Sequence, residues 1–376
     1  MSFPKKIVII TSHLEGRAIA YEWMIKHLTE KGYLMSFYHI ASNESNFEKF
    51  IKVTGVKYKR IEYKGKGKIE LIKIIFKVAR LLFKDRPHCV HTHYFDANLI
   101  GLTAAKLVFV PKRIYTRHTT TQRYRYLKGT YNFEKYFNRL STHIVSISDV
   151  VTNVLSKIEH VPVTKIVKIH HGFDMSIFAN IGEERLRVVR EKYNYVNRYP
   201  IFGVISRYDE WKGVEYTIQA FKEYVKDEPD ALLILANANG IRKEYMHQML
   251  SELPEDSYRE VVYEDDVFAL INTFNAFIHV PIDEEIEAFG QVYIEVMAAS
   301  VPIICTLSGI ASEFIKNEYN ALVVNYKDSD SVHKAMNRII SNQALRELLT
   351  ANAHINLKKQ FGIEHMINLL DKLYSK

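Results

Sequence analysis

The sequence predicts an α/β protein made of two doubly wound domains, each a mostly parallel sheet with helices on both faces. Three observations predict it. Short apolar runs of strand length alternate with longer amphipathic stretches, as successive βαβ units require. The alternation occurs in two successive sets, separated by the charged stretch Ile181–Arg198. At 376 residues the chain is too long for one ordinary core and suits two domains of near-average size.

Taken in order, the first set has strand-like runs at Ile7–Thr11, Cys89–His93, Arg113–Thr116, Ile144–Ile147 and Ile166–Ile169. Helical patterns lie near Ala18–Lys31, Ile69–Lys84, Ala97–Leu107 and Val150–Lys157. The second set has strands near Phe202–Ser206, Leu232–Ala236, Ala276–Val280, Ile303–Thr306 and Leu322–Val324. The last stretch, from about His354, is helical in pattern. This gives domains at 1–185 and 186–355, followed by a helix at 356–376. The opening segment puts only a short apolar run after Lys5 and Lys6, and it is read as a first buried strand rather than a signal peptide. No run of about 18 apolar residues suggests a membrane span. Cys89 and Cys305 both sit in apolar, strand-like surroundings. They read as small buried hydrophobes in a reducing, cytoplasmic compartment, not as a disulfide or a metal site.

The net charge of +8 is unevenly spread. Residues 1–180 hold 30 Lys or Arg against 13 Asp or Glu, whereas residues 181–376 hold 21 against 30. A basic half joined to an acidic one points to a polyanion or an anionic lipid surface as a partner of the first half. No recognised nucleic-acid motif appears, so nucleic acid is not the expected partner. Lys73, Lys77, Arg80 and Lys84 fall on one stripe of a helix rich in Ile, Leu and Phe, after the run Lys64-Gly-Lys-Gly-Lys68. Arg123-Tyr-Arg-Tyr-Leu-Lys128 and the stretch Tyr131–Arg139 interleave aromatic and basic groups. These stretches fit a solvated helix face and loop, or a peripheral contact with the inner face of the cytoplasmic membrane.

Chemistry concentrates in the second half. Glu287-Ala-Phe-Gly-Gln-Val-Tyr-Ile-Glu295 sets two carboxylates astride a glycine and the start of an apolar helix. An ionised Glu295 among Val292, Ile294, Val296, Met297 and Ala298 is expensive unless something donates hydrogen bonds to it. Ribose hydroxyls would do so, while a diphosphate could sit on open backbone N–H groups around Gly290. Glu287 would then face a sugar beyond the diphosphate. Taken alone, this spacing fits two surface carboxylates at least as well. Upstream, Ile201–Ser206 reads as a buried strand followed by Arg207-Tyr-Asp-Glu-Trp-Lys-Gly213. Ligands of open α/β sheets gather at such strand ends, where Arg207 and Lys212 could close on the same diphosphate.

Arg207, Lys212-Gly213, Glu287-Ala-Phe-Gly290 and Glu295, in this order and spacing, resemble the donor site of the retaining glycosyltransferases of family 4, which have the GT-B fold. Two positions depart from that pattern: Ala288 and Ser300 stand where the family has glycine. The resemblance implies two Rossmann-like domains facing across a cleft, with the terminal helix crossing back to the first. It assigns donor binding to Arg207, Lys212, Glu287, Phe289, Gly290, Gln291 and Glu295. Gly16, in the first turn Thr11–Arg17, is the nearest counterpart of the family's glycine beside the sugars, though a simple turn glycine fits as well. That turn lacks the Gly-x-Gly-x-x-Gly of a dinucleotide fold. His118, at a strand end, is similar to the family's histidine that reaches the transferred sugar, for hydrogen bonding and charge stabilisation rather than attack. Gly172 and Asp174 match a family loop of structural purpose, and His91 and His93 read as core-edge histidines.

The activity so implied is transfer of a hexosyl or N-acetylhexosaminyl group, with retention, from a UDP- or GDP-sugar to a hydroxyl. The acceptor would be a glycan or a lipid-linked acceptor of cell-envelope polysaccharide, lipopolysaccharide or glycolipid synthesis. No cofactor and no metal are expected, because Arg207 and Lys212 would take the charge-neutralising part, and His118, Glu287, Arg207 and Lys212 form the catalytic set. A sugar-nucleotide epimerase or phosphorylase of the same fold, or a catalytically silent nucleotide-sugar binding protein, remain as alternatives.

Overall fold

The computed structural model describes residues 5–16, 18–65, 67–122, 124, 129–178 and 181–375, Asn356 by its backbone alone. Arg17, Lys66, Arg123 and the segment 125–128, parts of three stretches singled out above, lie outside the described residues. The chain divides into two compact units: one runs up to Phe173 and resumes at Phe361, the other is Asp174–Gln360.

The first unit holds seven parallel strands: β1 (Lys6–Ser12), β2 (Leu34–Ala41), β3 (Lys57–Glu62), β4 (Cys89–His93), β5 (Lys112–Arg117), β6 (His143–Ser146) and β7 (Ile166–Lys168). Their spatial order is β3-β2-β1-β4-β5-β6-β7. Alternate residues of β1 supply the two faces of the sheet, as the two-residue strand period demands. Ile7 and Ile9 pack with Tyr21, Met24 and Leu28 of the helix Ile19–Glu30, and with Ile367, Leu370 and Leu373 of the helix Ile363–Ser375. Val8 and Ile10 pack with Ile74, Val78 and Leu82 of the helix Lys68–Asp85, and with Ala97, Ile100 and Ala104.

The second unit repeats the plan with six strands: β8 (Ile201–Ile205), β9 (Leu232–Ala236), β10 (Tyr258–Val261), β11 (Ala276–His279), β12 (Ile303–Cys305) and β13 (Leu322–Val323). The order is β10-β9-β8-β11-β12-β13, all parallel. Its core joins Phe202 and Val204 of β8 to Ile218 and Phe221 of the helix Val214–Asp227 and to Met336 and Ile339 of the helix Ser329–Ser341. In both sheets the strand order reverses beside the first strand, at β1/β4 and at β8/β11. Such switch points open a crevice at the carboxyl ends of the strands.

The boundary between the units falls after Phe173, twelve residues before the expected 185. The charged stretch is not a linker. Its helix Glu183–Lys192 belongs to the second unit, where Arg185 makes two hydrogen bonds to Asp266 (2.7 and 2.6 Å) and Lys192 reaches Glu264 at 2.7 Å. The terminal segment from Phe361 belongs to the first unit. Phe173 N–H donates to Phe361 O (2.8 Å), and Ile363 N–H donates to Phe173 O (2.9 Å). Gly172 is needed there, because a Cβ would lie 2.7 Å from Met366 Cβ. Asp174 accepts hydrogen bonds from the backbone and hydroxyl of Ser176 (3.1 and 2.6 Å), closing the turn after the boundary. No helix among the described residues is long and apolar enough to cross a membrane.

Candidate active site

The second unit's switch point gathers the groups singled out in the sequence. The loop after β8 carries Arg207 and, in the short 3-10 turn Glu210–Lys212, Lys212. The loop after β11 carries Glu287. Lys212 Nζ is hydrogen-bonded to Glu287 Oε1, and both side chains are largely buried. The turn is held close to β11 by Gly213, whose φ is +65° and at which a Cβ would sit 2.1 Å from Val280 O. Only glycine permits that approach, so the Lys-Gly pair works as a unit.

His279, the last residue of β11, lies beneath the ion pair with Nε2 3.5 Å from the same Glu287 oxygen. Its ring is buried edge-on against Tyr293 (4.9 Å between centroids). Burial lowers the His279 pKa and outweighs the opposing pull of Glu287. Burial alone would raise the Glu287 carboxyl, but Lys212 and His279 beside it bring it down to about 2. The carboxylate is therefore ionised throughout the physiological range, held by a cation with further N–H groups to offer. Sequence reasoning missed His279, which sits inside an apolar strand run and shows its role only once β11 is placed next to the β8 loop.

Behind Glu287, the loop after β12 fixes the backbone. Gly309 N–H donates to Glu284 O (3.1 Å), Ile310 N–H to Phe289 O (2.9 Å), and Ser308 Oγ to Asp283 O (2.7 Å). Gly309 has a φ of +61° and a Cβ there would meet Glu287 Cβ at 2.8 Å. Gly290, at φ +85°, starts the helix Gln291–Ala298, with Phe289 buried before it and Gln291 exposed. The first N–H groups of a helix have no acceptor within it and favour an anion. Glu295 lies one turn further along, half-buried, with no hydrogen-bond or ion-pair partner among the described residues, and burial raises its carboxyl to about 7.

The structure thus joins Lys212 to Glu287 and continues through Phe289 and Gly290 into the helix that carries Gln291 and Glu295. Arg207 stands apart: its side chain is exposed, and Nε lies 3.4 Å from the buried Asp209. Among the described residues it makes no hydrogen bond or ion pair with Lys212 or Glu287. Of the two departures from glycine, Ala288 keeps a negative φ, so its methyl group strains no backbone. Ser300 adopts a φ of +60°, the left-handed conformation that favours glycine.

In the first unit, His118 follows β5 and belongs to a cluster. His93 Nδ1 is 3.1 Å from His118 Nε2, the Tyr94 ring stacks on His118 at 4.9 Å, and His171 lies parallel at 5.5 Å. His91 is hydrogen-bonded to Tyr374 (2.6 Å) and Thr116 (2.8 Å). Burial, then His93, His171 and Arg117, hold His118 well below the usual histidine range. At neutral pH it offers a neutral imidazole that can take part in hydrogen bonds. Arg117 anchors the strand end through buried Glu134 and Glu159. Gly16 lies in an exposed turn where a Cβ would meet nothing within 4 Å, so no close approach requires glycine there. Nearby, His13, Glu15, Asn43, Glu44, Ser45 and Lys49 help line a polar cavity of about 610 Å³. Among the described residues no group of three or more His, Cys, Asp or Glu is arranged to hold a metal ion.

Comparison with known proteins agrees with this layout. The family model described as Glycosyl transferases group 1 matches residues 187–355, and that of Glycosyltransferase Family 4 matches residues 24–177. The capsular polysaccharide biosynthesis glycosyltransferase CapM of Staphylococcus aureus is 24% identical over 313 residues, 81% of this chain and 80% of the relative. A UDP-Gal:alpha-D-GlcNAc-diphosphoundecaprenol alpha-1,3-galactosyltransferase of Escherichia coli is 21% identical over 319 residues, 81% of this chain and 80% of its own length. Anabaena Alr3699/HepE, solved with UDP and glucose, superposes with a TM-score of 0.84 at 15% identity, covering 99% of this chain and all of its own. The two family models together span most of the sequence, and the fold is that of GT-B proteins. The chain belongs to the glycosyltransferases of group 1, family 4.

Proposed function

We propose that this glycosyltransferase moves a hexosyl or N-acetylhexosaminyl group, with retention, from a nucleoside diphosphate sugar to a hydroxyl of a glycan or lipid-linked acceptor. The observation that carries the proposal is the buried Lys212–Glu287 pair at the β8/β11 switch point, next to the open helix start at Gly290. Lys212 would turn its remaining N–H groups to the leaving diphosphate, joined by Arg207 once that exposed side chain swings in, and by the N–H groups at Gln291. Glu295, raised by burial and without a partner, would accept hydrogen bonds from the nucleoside's ribose. Glu287, kept ionised, would bind the hydroxyls of the transferred sugar. His118 has a proposed part in the same reaction, as a neutral hydrogen-bonding group to that sugar.

The Anabaena protein of the same fold was solved with UDP and with UDP-glucose, which supports a uridine nucleotide over a guanosine one. The named activities of the Staphylococcus and Escherichia relatives support an envelope-glycan or polyprenol-linked acceptor. The polar cavity beside His13 and Asn43 is the proposed acceptor subsite. The test is a thermal-shift series with UDP-, GDP- and ADP-sugars. A donor at 100 times its Kd should stabilise by about 2.7 kcal/mol. Lys212→Ala should abolish both the shift and acceptor-dependent nucleotide release. The donor's anomeric configuration should persist in the product. Nucleotide-sugar isomerisation without acceptor, or wild-type turnover in Lys212→Ala, would overturn the reading.

A further inference from the structure

The outward face of the helix Lys68–Asp85 is built unlike an ordinary solvated surface. Its inward side is conventional: Ile74, Val78, Ala79 and Leu82 are buried, with Leu71, Ile75 and Leu81 packed beside them on the sheet. Outward, four large apolar side chains stand in solvent: Ile69 (73% exposed), Ile72 (53%), Phe76 (63%) and Phe83 (65%). Interleaved with them are Lys73, Lys77, Arg80 and Lys84, all exposed and none in a hydrogen bond or close ion pair with a carboxylate among the described residues, though Lys77 lies near enough to Glu62 to favour its ionised form.

At about 100° of rotation per residue, these eight positions separate into two adjoining strips. Ile69, Ile72, Phe76 and Phe83 fall within about 60° of one another, and the four cations fill the next sector of similar width. The nearby acids are turned elsewhere. Glu70 accepts a hydrogen bond from Lys64 N–H (2.9 Å), Asp85 is bound by Lys57 (2.7 Å) and Tyr38 (2.5 Å), and Glu62 pairs with Lys64 (3.0 Å). The helix, about 27 Å long at 1.5 Å per residue, therefore offers one continuous apolar edge beside one continuous cationic edge.

We infer that this face is the chain's docking surface for an anionic phospholipid bilayer. The helix lies in the plane of the headgroups, with Ile69, Ile72, Phe76 and Phe83 in the acyl boundary and Lys73, Lys77, Arg80 and Lys84 on the lipid phosphates. Charge decides among the occupants. A second copy of the chain paired face to face through this same helix would bring two cationic strips together with no acid between them. A soluble polyanion would leave the aromatic strip in water. Only an amphiphilic, negatively charged surface satisfies both strips at once. The inference concerns this surface alone and does not depend on the transfer reaction proposed above.

The test is co-sedimentation of the full chain with phosphatidylcholine vesicles and with vesicles containing phosphatidylglycerol, at low and high salt. Binding to the anionic vesicles should exceed binding to the neutral ones at least about tenfold and weaken in high salt. Phe76→Ser with Phe83→Ser should reduce it by about tenfold or more. Lys73→Gln with Lys77→Gln should reduce it to a similar degree. Ile241→Ser, which removes an equally exposed side chain from the second unit (76% exposed), should leave it unchanged. All five substituted side chains are exposed, and matching circular dichroism melts would establish that the variants fold. Equal binding to both vesicle types, no binding to either, or undiminished binding by the Phe76/Phe83 variant would each overturn the inference. So would a concentration-dependent dimer that the same variant abolishes.

Discussion

The Lys212–Glu287 pair invites a measurement that separates its electrostatics from any assumption about substrate. The Glu287 carboxyl stands at about 2 in the folded protein against an ordinary 4.5, a difference that corresponds to about 3 kcal/mol of stabilisation. The folded pKa is depressed, so this contribution is complete above pH 4.5 and disappears as the pH falls toward 2. The chain has two tryptophans, Trp23 in the first unit and Trp211 beside Lys212 in the second. In a Trp23→Phe background, urea unfolding followed by Trp211 fluorescence reports the second unit alone, which avoids fitting two units as one transition. Lys212→Met should lose about 3 kcal/mol at pH 7, because it strands a buried carboxylate. Glu287→Gln should lose less, since Lys212 retains some access to water. The double variant should recover part of the loss, giving a coupling of about 2 kcal/mol. The stability difference between the parent and Glu287→Gln should also shrink between pH 4.5 and 2. A coupling below about 0.5 kcal/mol, or a pH-independent difference, would refute the buried-pair argument.

Further outcomes follow from two neighbouring residues. Glu295, raised to about 7, is favoured while protonated, so its ionisation destabilises the folded chain as pH rises through that value. Glu295→Gln should therefore be more stable than the parent at pH 8 by about 1–2 kcal/mol, and equal to it near pH 4. The same variant should bind nucleoside diphosphates about tenfold more weakly, and unchanged affinity would remove Glu295 from the ribose. Ser300→Gly should relieve about 1 kcal/mol of left-handed backbone strain, partly offset by the lost contact between Ser300 Oγ and His354 Nε2 at 2.8 Å. A fall in thermal midpoint would show that the His354 contact outweighs the strain.

Much of the architecture was legible because central parallel strands are continuous apolar runs. β1, β8, β9 and β11 all stood out for that reason. The strands that escaped notice are different in kind. β3 (Lys57–Glu62) and β10 (Tyr258–Val261) are sheet edges, and their charged residues, which guard an open edge, also conceal the strand pattern. β2 interrupts its apolar positions with Ser36 and with His39, which is buried and accepts a hydrogen bond from Leu14 N–H (3.2 Å). In the site, Lys212 and Glu287 were readable as a motif because glycines at fixed places accompany them. His279 and the histidine stack around His118 were not, since their meaning lies in register between strands distant in sequence. The domain boundary expected at 185 falls twelve residues past the division after Phe173 for a related reason: a charged segment resembles a linker until its ion partners, Asp266 and Glu264, are seen.

The discontinuity of the first unit bears on how the chain comes into being. Tyr374 fills the hydrophobic layer under β1 and holds His91, while Asp371 receives the Tyr33 hydroxyl at 2.6 Å. Those residues leave the ribosome some two hundred positions after Phe173, when every residue of the second unit has already been made. During synthesis the earlier-made unit must therefore wait, with part of its oily underside uncovered, for a segment translated last. Slowing translation late in the message would lengthen that wait, and with it the demand on chaperones that shield unfinished proteins.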